Sequence, residues 1–142
     1  MVQRGDQVSH RQIEMPEQKL VARLKDVAGV TALVAARIWP VYRPADTALP
    51  AIVYEVDQRL PINHATGTTG TTECNLSVYC IASTYAGAKA LAAAVETALS
   101  GWADADGCVW HLDSQTESVS PPLTGRDVPE FFIVDQNYSV WD

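Results

Sequence analysis

The clearest pattern of hydrophobic and polar positions lies between Glu73 and Gly101, where an alternating stretch leads into a helical one. Apolar or small residues occupy every second position of its first part: Leu76, Val78, Cys80 and Ala82. Polar residues fill most of the positions between them. A period of two is typical of a strand with one buried face, so we predict a strand here.

The second part of this stretch has helical periodicity. Its apolar residues form one stripe about 100° wide, made of Ala88, Leu91, Ala92, Val95 and Leu99. Ser83 and Thr84 offer hydroxyl caps at its start, and Gly101 supplies a stop. Because the strand continues directly into the helix, we expect the residues at 76, 78 and 80 to face those at 91, 95 and 99.

The same patterns predict the other elements. A helix is expected from Pro16 to Gly29, followed by a short helix capped by Thr31 that ends before Ile38-Trp39-Pro40. Further strands are expected at 51–57, 109–119 and 131–140, the last interrupted by Gln136 on its apolar face. Residues 59–72 are polar and rich in Gly and Thr, so we predict a long loop there.

This order of elements predicts an α+β fold. We expect a mostly antiparallel sheet of about four strands, with two main helices packed on one face. The other sheet face carries polar residues and is expected to be wet or to face a partner. Residues 15–142 are predicted to form a single domain, preceded by a flexible arm at residues 1–14.

Composition is that of an ordinary soluble globular domain. The 142 residues are 47% hydrophobic and 19% charged, and no apolar run approaches the length of a membrane span. The polar start of the chain does not resemble a secretory signal, so we expect a cytosol-like compartment. In such a compartment the three cysteines are expected to be reduced and packed as small apolar residues.

Charge is distributed unevenly along the chain. Residues 1–43 carry a net charge of +3 and residues 44–142 carry −10, which gives −7 overall. The net negative charge argues against binding to the phosphates of nucleic acid, because such binding requires clustered Lys and Arg. A basic N-terminal part and an acidic C-terminal part of the chain favour contacts between copies. The plainer alternative is a solvated acidic surface that aids solubility.

Several short motifs suggest chemistry that their surroundings do not support. GTTGTT at residues 67–72 lacks the Lys and the following helix of a phosphate-binding loop. Cys108 and His111 have zinc-like spacing but no second pair, so we expect a packed cysteine and a surface histidine. Asp104 and Asp106 are interpreted as turn formers. We therefore predict no catalytic residues, no cofactor and no metal.

The predicted outer side of the helix at 85–100 carries unusually little charge. Small residues dominate it, including Ala86, Ala90, Ala93 and Ala94. Small side chains allow another backbone to approach closely. The alternative is that alanine is simply the best helix former, and the sequence leaves both explanations open.

Four segments together resemble a known family. They are LKDVAGVTALVAARIWPVY, ALPAIVYEVD, NLSVYCIASTYAGAKALAAAVETAL and FFIVDQNYSVW. Their order and spacing, over residues 17–141, resemble the tail-completion or tail-terminator proteins of long-tailed bacteriophages and phage-like particles. The residues that hold the places of the family pattern are Pro50, Tyr54, Tyr79, Tyr85 and Ala88.

The resemblance implies a structural virion protein without enzymatic activity. Such proteins form a ring, commonly of six copies, that caps the head-proximal end of the tail tube and stops its polymerisation. The implied partners are other copies of the chain, the major tail tube protein and a head-completion or connector protein. DNA passes through the lumen without specific binding, no membrane is involved, and assembly takes place in the host bacterial cytoplasm.

On this basis we predict two contact surfaces, the Gly/Thr loop and the neutral side of the helix. The residues concerned are Asn63, His64, Thr66, Gly67, Thr68, Thr69, Gly70, Thr71, Ala86, Ala90, Ala93 and Ala94. The alternative function is another head-tail connector or minor tail assembly protein. A small metal-dependent or hydrolytic enzyme is a distant third.

Overall fold

A computed structural model describes residues 15–44, 47–64, 67–120 and 130–141 of the chain, with the backbone alone at 61–71. The predicted arm at 1–14 therefore lies outside the described residues. The described helices are α1 (Pro16–Asp26), α2 (Ala28–Val34) and α3 (Tyr85–Leu99). The described strands are β1 (Ile38–Pro40), β2 (Ala51–His64), β3 (Gly67–Ala82), β4 (Trp110–Val119) and β5 (Phe132–Trp141).

The five strands form one sheet in the order β1-β2-β3-β5-β4. Only β1 runs parallel to its neighbour; the other three pairings are antiparallel. The predicted α+β class with a mostly antiparallel sheet is confirmed. The predicted count of about four strands was one short, because β1 has only three residues and ends in a proline at the sheet edge.

The packing of β3 against α3 follows the predicted pattern. The three strand residues Leu76, Val78 and Cys80 are fully buried and belong to one core cluster. Its helix members include Leu91, Val95 and Leu99, each also fully buried. Thr84 caps α3 by accepting a 3.0 Å hydrogen bond from Gly87 N. The strand–helix unit therefore forms the centre of the core, as predicted.

The boundary between α1 and α2 differs from the prediction. Helix α1 ends at Asp26, and Val27 adopts an extended conformation that terminates α1 and precedes α2. Gly29 lies within α2, and Thr31 is an internal residue whose hydroxyl donates to Ala28 O. The break at Val27 turns α2 so that Val30 and Val34 are fully buried, a tertiary requirement that overrides the local glycine signal.

The predicted loop at 59–72 is wrong over most of its length. Strand β2 continues to His64 and β3 begins at Gly67, so the segment is a long antiparallel hairpin. Its Thr and Ile residues favour extended backbone. The segment projects beyond the neighbouring strands, and its sequence lacks the hydrophobic alternation that would identify a strand with one buried face.

Gln136, which interrupts the apolar face of β5, is completely buried and fully bonded. Its side-chain amide donates to Ala92 O of α3 and to the side-chain oxygen of Gln115, both at 2.9 Å. Its own oxygen accepts a 2.7 Å bond from the hydroxyl of Tyr138. A buried polar group with every partner supplied costs little and orients α3 on the sheet.

Candidate assembly surfaces

The β2–β3 hairpin leaves the body of the sheet as a two-stranded ribbon. Strand β5 pairs with β3 only between Glu73 and Ala82, and β1 pairs with only three residues of β2. Beyond those points the described strands pair only with each other. Leu60 and Trp141, 38% and 46% exposed, lie at the ribbon base. Two strands alone are marginally stable in water, and open edges invite a further strand.

The structure brings most of the predicted loop residues together at the ribbon tip. The backbone of Asn63 pairs with that of Thr68, and His64 pairs with Gly67. Thr69, Gly70 and Thr71 follow in β3. Thr66 lies outside the described residues. The segment is therefore an extended ribbon and not the predicted loop, and its role as a contact surface stays a prediction.

The neutral side of α3 is only partly as expected. Ala86, Ala90 and Ala93 are exposed, whereas Ala94 is half-buried and packs against the core. Helix α2, which contacts α3, adds exposed Ala28 and Ala32. Ala28 and Ala32 are four residues apart and therefore share one side of the helix, so this spacing could have revealed them. Because the sequence predicted that the short helix starts at Thr31, Ala28 was placed outside it.

The sheet face opposite the helices forms a polar network. Tyr79 donates a 2.6 Å hydrogen bond to Glu55, and Ser77 contacts both Asp57 and Asn137. The bond from Tyr79 to Glu55, together with burial, raises the pKa of Tyr79 to about 12. Ser77 is itself buried. These cross-strand bonds hold the carboxylates in fixed positions on this face, which we call the open face.

Asp135 sits on the open face in a row with Trp39, Val53 and Tyr79. Burial raises the pKa of Asp135, and the nearby charges of Asp57 and Glu55 raise it further. Among the described residues, its buried Oδ1 has no hydrogen-bond partner, and the same holds for the buried Nε1 of Trp39. Within the part of the chain that the structure describes, the open face therefore contains polar atoms whose bonding is incomplete.

A groove of about 400 Å³ crosses one end of the open face. Val53 and Ile81 form part of its lining. Val41 and Tyr42 also line it, and these two residues are 66% and 72% exposed. Val41 has a φ of 66°, a left-handed conformation that β-branched residues rarely adopt. Backbone strain of this kind persists where the surroundings or a function require it.

Asp104 connects the turn at 104–107 to the rest of the molecule. Its carboxylate accepts hydrogen bonds from Asp106 N, Cys108 N and Trp110 Nε1, and lies 3.1 Å from the Lys19 ammonium. Among the described residues, no group of three His, Cys, Asp or Glu side chains could hold a metal ion. Its predicted role as a turn former is confirmed, as Gly107 with φ of 84° completes the turn.

The remaining candidates for chemistry have ordinary surroundings. Cys108 is buried and His111 is exposed, as predicted. Cys74 and Cys80 are also buried, and burial raises the pKa of the Cys80 thiol well above its usual range. No helix in the described part of the chain is long and apolar enough to span a membrane.

Residues 18–120 match the family described as tail completion protein gp17. The chain belongs to this family. The match includes all three helices, the ribbon and β4, so the predicted resemblance is confirmed. Among curated proteins, no sequence matches the chain.

The fold of this chain also occurs in a gene transfer agent particle. A solved structure of the virion of a native gene transfer agent (GTA) particle contains a chain that superposes with a TM-score of 0.67. The two chains are 19% identical, and the superposition covers 89% of this chain and 92% of that chain. At this level of identity the likeness establishes a shared fold.

Proposed function

We propose that this chain is a structural virion protein that forms a ring, of six copies, on the head-proximal end of a phage tail tube. There it stops tube polymerisation and provides the surface to which the head joins. The observation that carries this proposal is the family match across residues 18–120. The shared fold of a chain from a gene transfer agent virion supports a place in the particle.

The ribbon is the element we assign to tube recognition. It projects beyond the sheet, it exposes backbone edges, and Leu60 and Trp141 at its base are poorly covered. A strand edge of the tube subunit would complete these backbone bonds by β-augmentation. The neutral surface of α2 and α3 is assigned to contacts between copies, because its small side chains permit close approach.

The role of the ring requires no catalysis and no cofactor. DNA passes through the lumen, and the acidic character of residues 44–142 would prevent it from adhering to the wall. The further partners are the major tail tube protein on one side and a head-completion or connector protein on the other. Assembly takes place in the cytoplasm of the bacterial host.

The deciding experiment combines deletion with a copy count. Without this protein, particles are expected to contain tails of uncontrolled length that fail to join heads, as seen by electron microscopy. In complete particles, quantitative mass spectrometry should find about six copies for each tail. Normal tail length with unjoined heads would instead indicate a connector, and a copy number that matches the tube subunit would indicate a tube component.

A further inference from the structure

The two sides of the sheet differ in charge. The open face carries five carboxylates, at Glu55, Asp57, Glu73, Asp113 and Asp135. Among the described residues, none of these five lies in an ion pair. Among the described residues, a single base, Arg43, lines one end of the face, in the groove beside Glu55. Within this part of the chain the open face is therefore acidic, and its carboxylates lie in no ion pair.

In the described part of the chain, four cations lie in no ion pair, and three of them, Arg23, Lys25 and Arg37, lie away from the open face. The fourth is Arg43 in the groove. Lys19, Arg59 and Lys89 each approach a carboxylate. Arg23 and Lys25 belong to α1, and Arg37 directly follows α2. The helices cover the opposite face of the sheet. Among the described residues, the helices and Arg37 thus hold three cations and two carboxylates, Asp26 and Glu96, outside ion pairs, whereas the open face holds five such carboxylates and one cation.

We propose that the open face of each copy receives the helical side of the next copy, with Lys25 placed against Glu55, Asp57 and Asp135. This inference rests on the proposed ring and specifies how its subunits join. Two open faces cannot pair with each other, because carboxylates would meet carboxylates. A contact between two different surfaces is heterologous, and such contacts close into rings when the rotation permits.

The features of the open face fit this occupant. An incoming ammonium would offset the mutual repulsion of Asp135, Asp57 and Glu55 and would give Asp135 Oδ1 a donor. Contact would also cover the exposed side chains of Val41 and Tyr42 beside the groove. On the helical side, small exposed residues such as Ala32 allow the two surfaces to approach closely.

The chain has only three lysines, so an amine-to-carboxylate cross-linker of zero length is a selective probe. Lys19 is buried, and Lys89, although its side chain is 40% exposed, is paired with Glu117 of the same chain, so Lys25 is the exposed lysine without a carboxylate partner among the described residues. In complete particles treated with a carbodiimide, we expect cross-links between copies from Lys25 to Glu55, Asp57 or Asp135. Isotope-labelled and unlabelled copies mixed before assembly distinguish links between copies from links within one.

Neutralisation gives a second, independent test. Asp135→Asn should melt at a higher temperature as a free subunit, because a repelled carboxylate is removed, yet enter particles about tenfold less well in competition with the native chain. A substitution that affected only the fold would change the melting temperature and the incorporation into particles in the same direction. Glu117→Gln changes the net charge equally, removes no carboxylate from the open face and leaves Lys89 unpaired on the helical side, so it serves as the control that should not lower incorporation.

The outcomes separate this inference from the proposed function. Several copies per tail without links from Lys25 to the open face, or normal incorporation of Asp135→Asn, would overturn the subunit arrangement and leave the ring intact. Links from the open face to a basic residue of another protein would assign the face to that partner instead. A single copy per tail would overturn the ring and this inference together.

Discussion

At the scale of single residues, Asp104 determines how the segment after α3 is attached to the rest of the molecule. Its side chain is 1% exposed and contacts the Lys19 ammonium, which lies far away in the sequence. Burial opposes ionisation of Asp104, but the hydrogen bonds from Trp110, Cys108, Lys19 and Asp106 outweigh it, so its pKa is lowered. The buried charge is therefore compensated on several sides.

Replacing Asp104 with alanine should destabilise the fold strongly. Removal of one partner leaves Lys19 and the indole N–H of Trp110 buried with fewer acceptors, at a cost of about 3–5 kcal/mol. Urea denaturation followed by circular dichroism measures this loss. Asp106→Ala is the control, since that carboxylate is 31% exposed and its removal should cost about 1 kcal/mol or less. Equal losses in the two variants would contradict the assigned role.

The same group predicts a dependence on pH. Because the folded pKa of Asp104 is lowered, its stabilising contribution is present above the pKa of the unfolded chain, about 3.9, and is lost as pH falls through the folded value. The native protein should therefore lose stability below about pH 4. Asp104→Asn should show a shallower decline over that range in the same melts.

Residue-level patterns predicted the turn at 104–107 but not its connection to α1. The spacing of Asp and Gly indicates a turn because those residues bond their own backbone, and this signal is local. The pairing with Lys19 joins distant segments and has no local signal. For the same reason the acidic open face was expected only as a polar face, since its partners come from β2, β3 and β5.

At the scale of secondary-structure elements, the packing of α3 on β3 supplies the core. Leu91→Ala should reduce the free energy of unfolding by about 2–5 kcal/mol, because the site is fully buried and a cavity would remain. Denaturant melts measure the loss. Ala93→Ser, on the exposed side of the same helix, should stay within about 0.5 kcal/mol. A loss below about 0.5 kcal/mol for Leu91→Ala would refute the core assignment.

Shortening the ribbon tests its role in assembly. Replacing residues 61–71 with a short Gly-Ser turn removes backbone that contacts no third strand in the described chain, so the subunit should fold with nearly unchanged stability. Tails made with this variant are expected to overgrow or to remain without heads, as judged by electron microscopy. Tails of normal length that join heads would mean that the ribbon is dispensable.

The sequence predicted elements well where one face is buried and poorly where neither is. Strand β5 and helix α3 have apolar stripes with a clear period, and both were located within one or two residues. The ribbon has no hydrophobic alternation in its sequence and β1 has only three residues, so periodicity could not detect them. The start of α2 is decided by contacts of Val30 with the core, which are not visible locally.

At the scale of the whole molecule, unbalanced charge should make the free subunit sensitive to salt. The net charge is −7, and the open face concentrates part of it. Raising NaCl from about 10 mM to about 500 mM shortens the Debye length and screens this repulsion, so the melting temperature of the subunit should increase by a few degrees. Differential scanning calorimetry provides the measurement.

The variant Asp135→Asn identifies the source of this sensitivity. It removes a carboxylate that the charges of Asp57 and Glu55 repel, so its melting temperature should respond less to salt than that of the native chain. A melting temperature that does not change, or that falls as NaCl increases, would mean that repulsion on the open face is not a significant cost to the fold.

The continuity of β3 has a mechanical consequence. One strand runs without interruption from the ribbon into the centre of the sheet, where β2 and β5 flank it. The ribbon is therefore a projecting element that is held at one end only, where β3 enters the core. Bending should concentrate at the two register shifts in β2, between Val56 and Gln58 and between Pro61 and Asn63. A force on the tip would then bend β2 at these two register shifts before it could disturb the packing beneath α3.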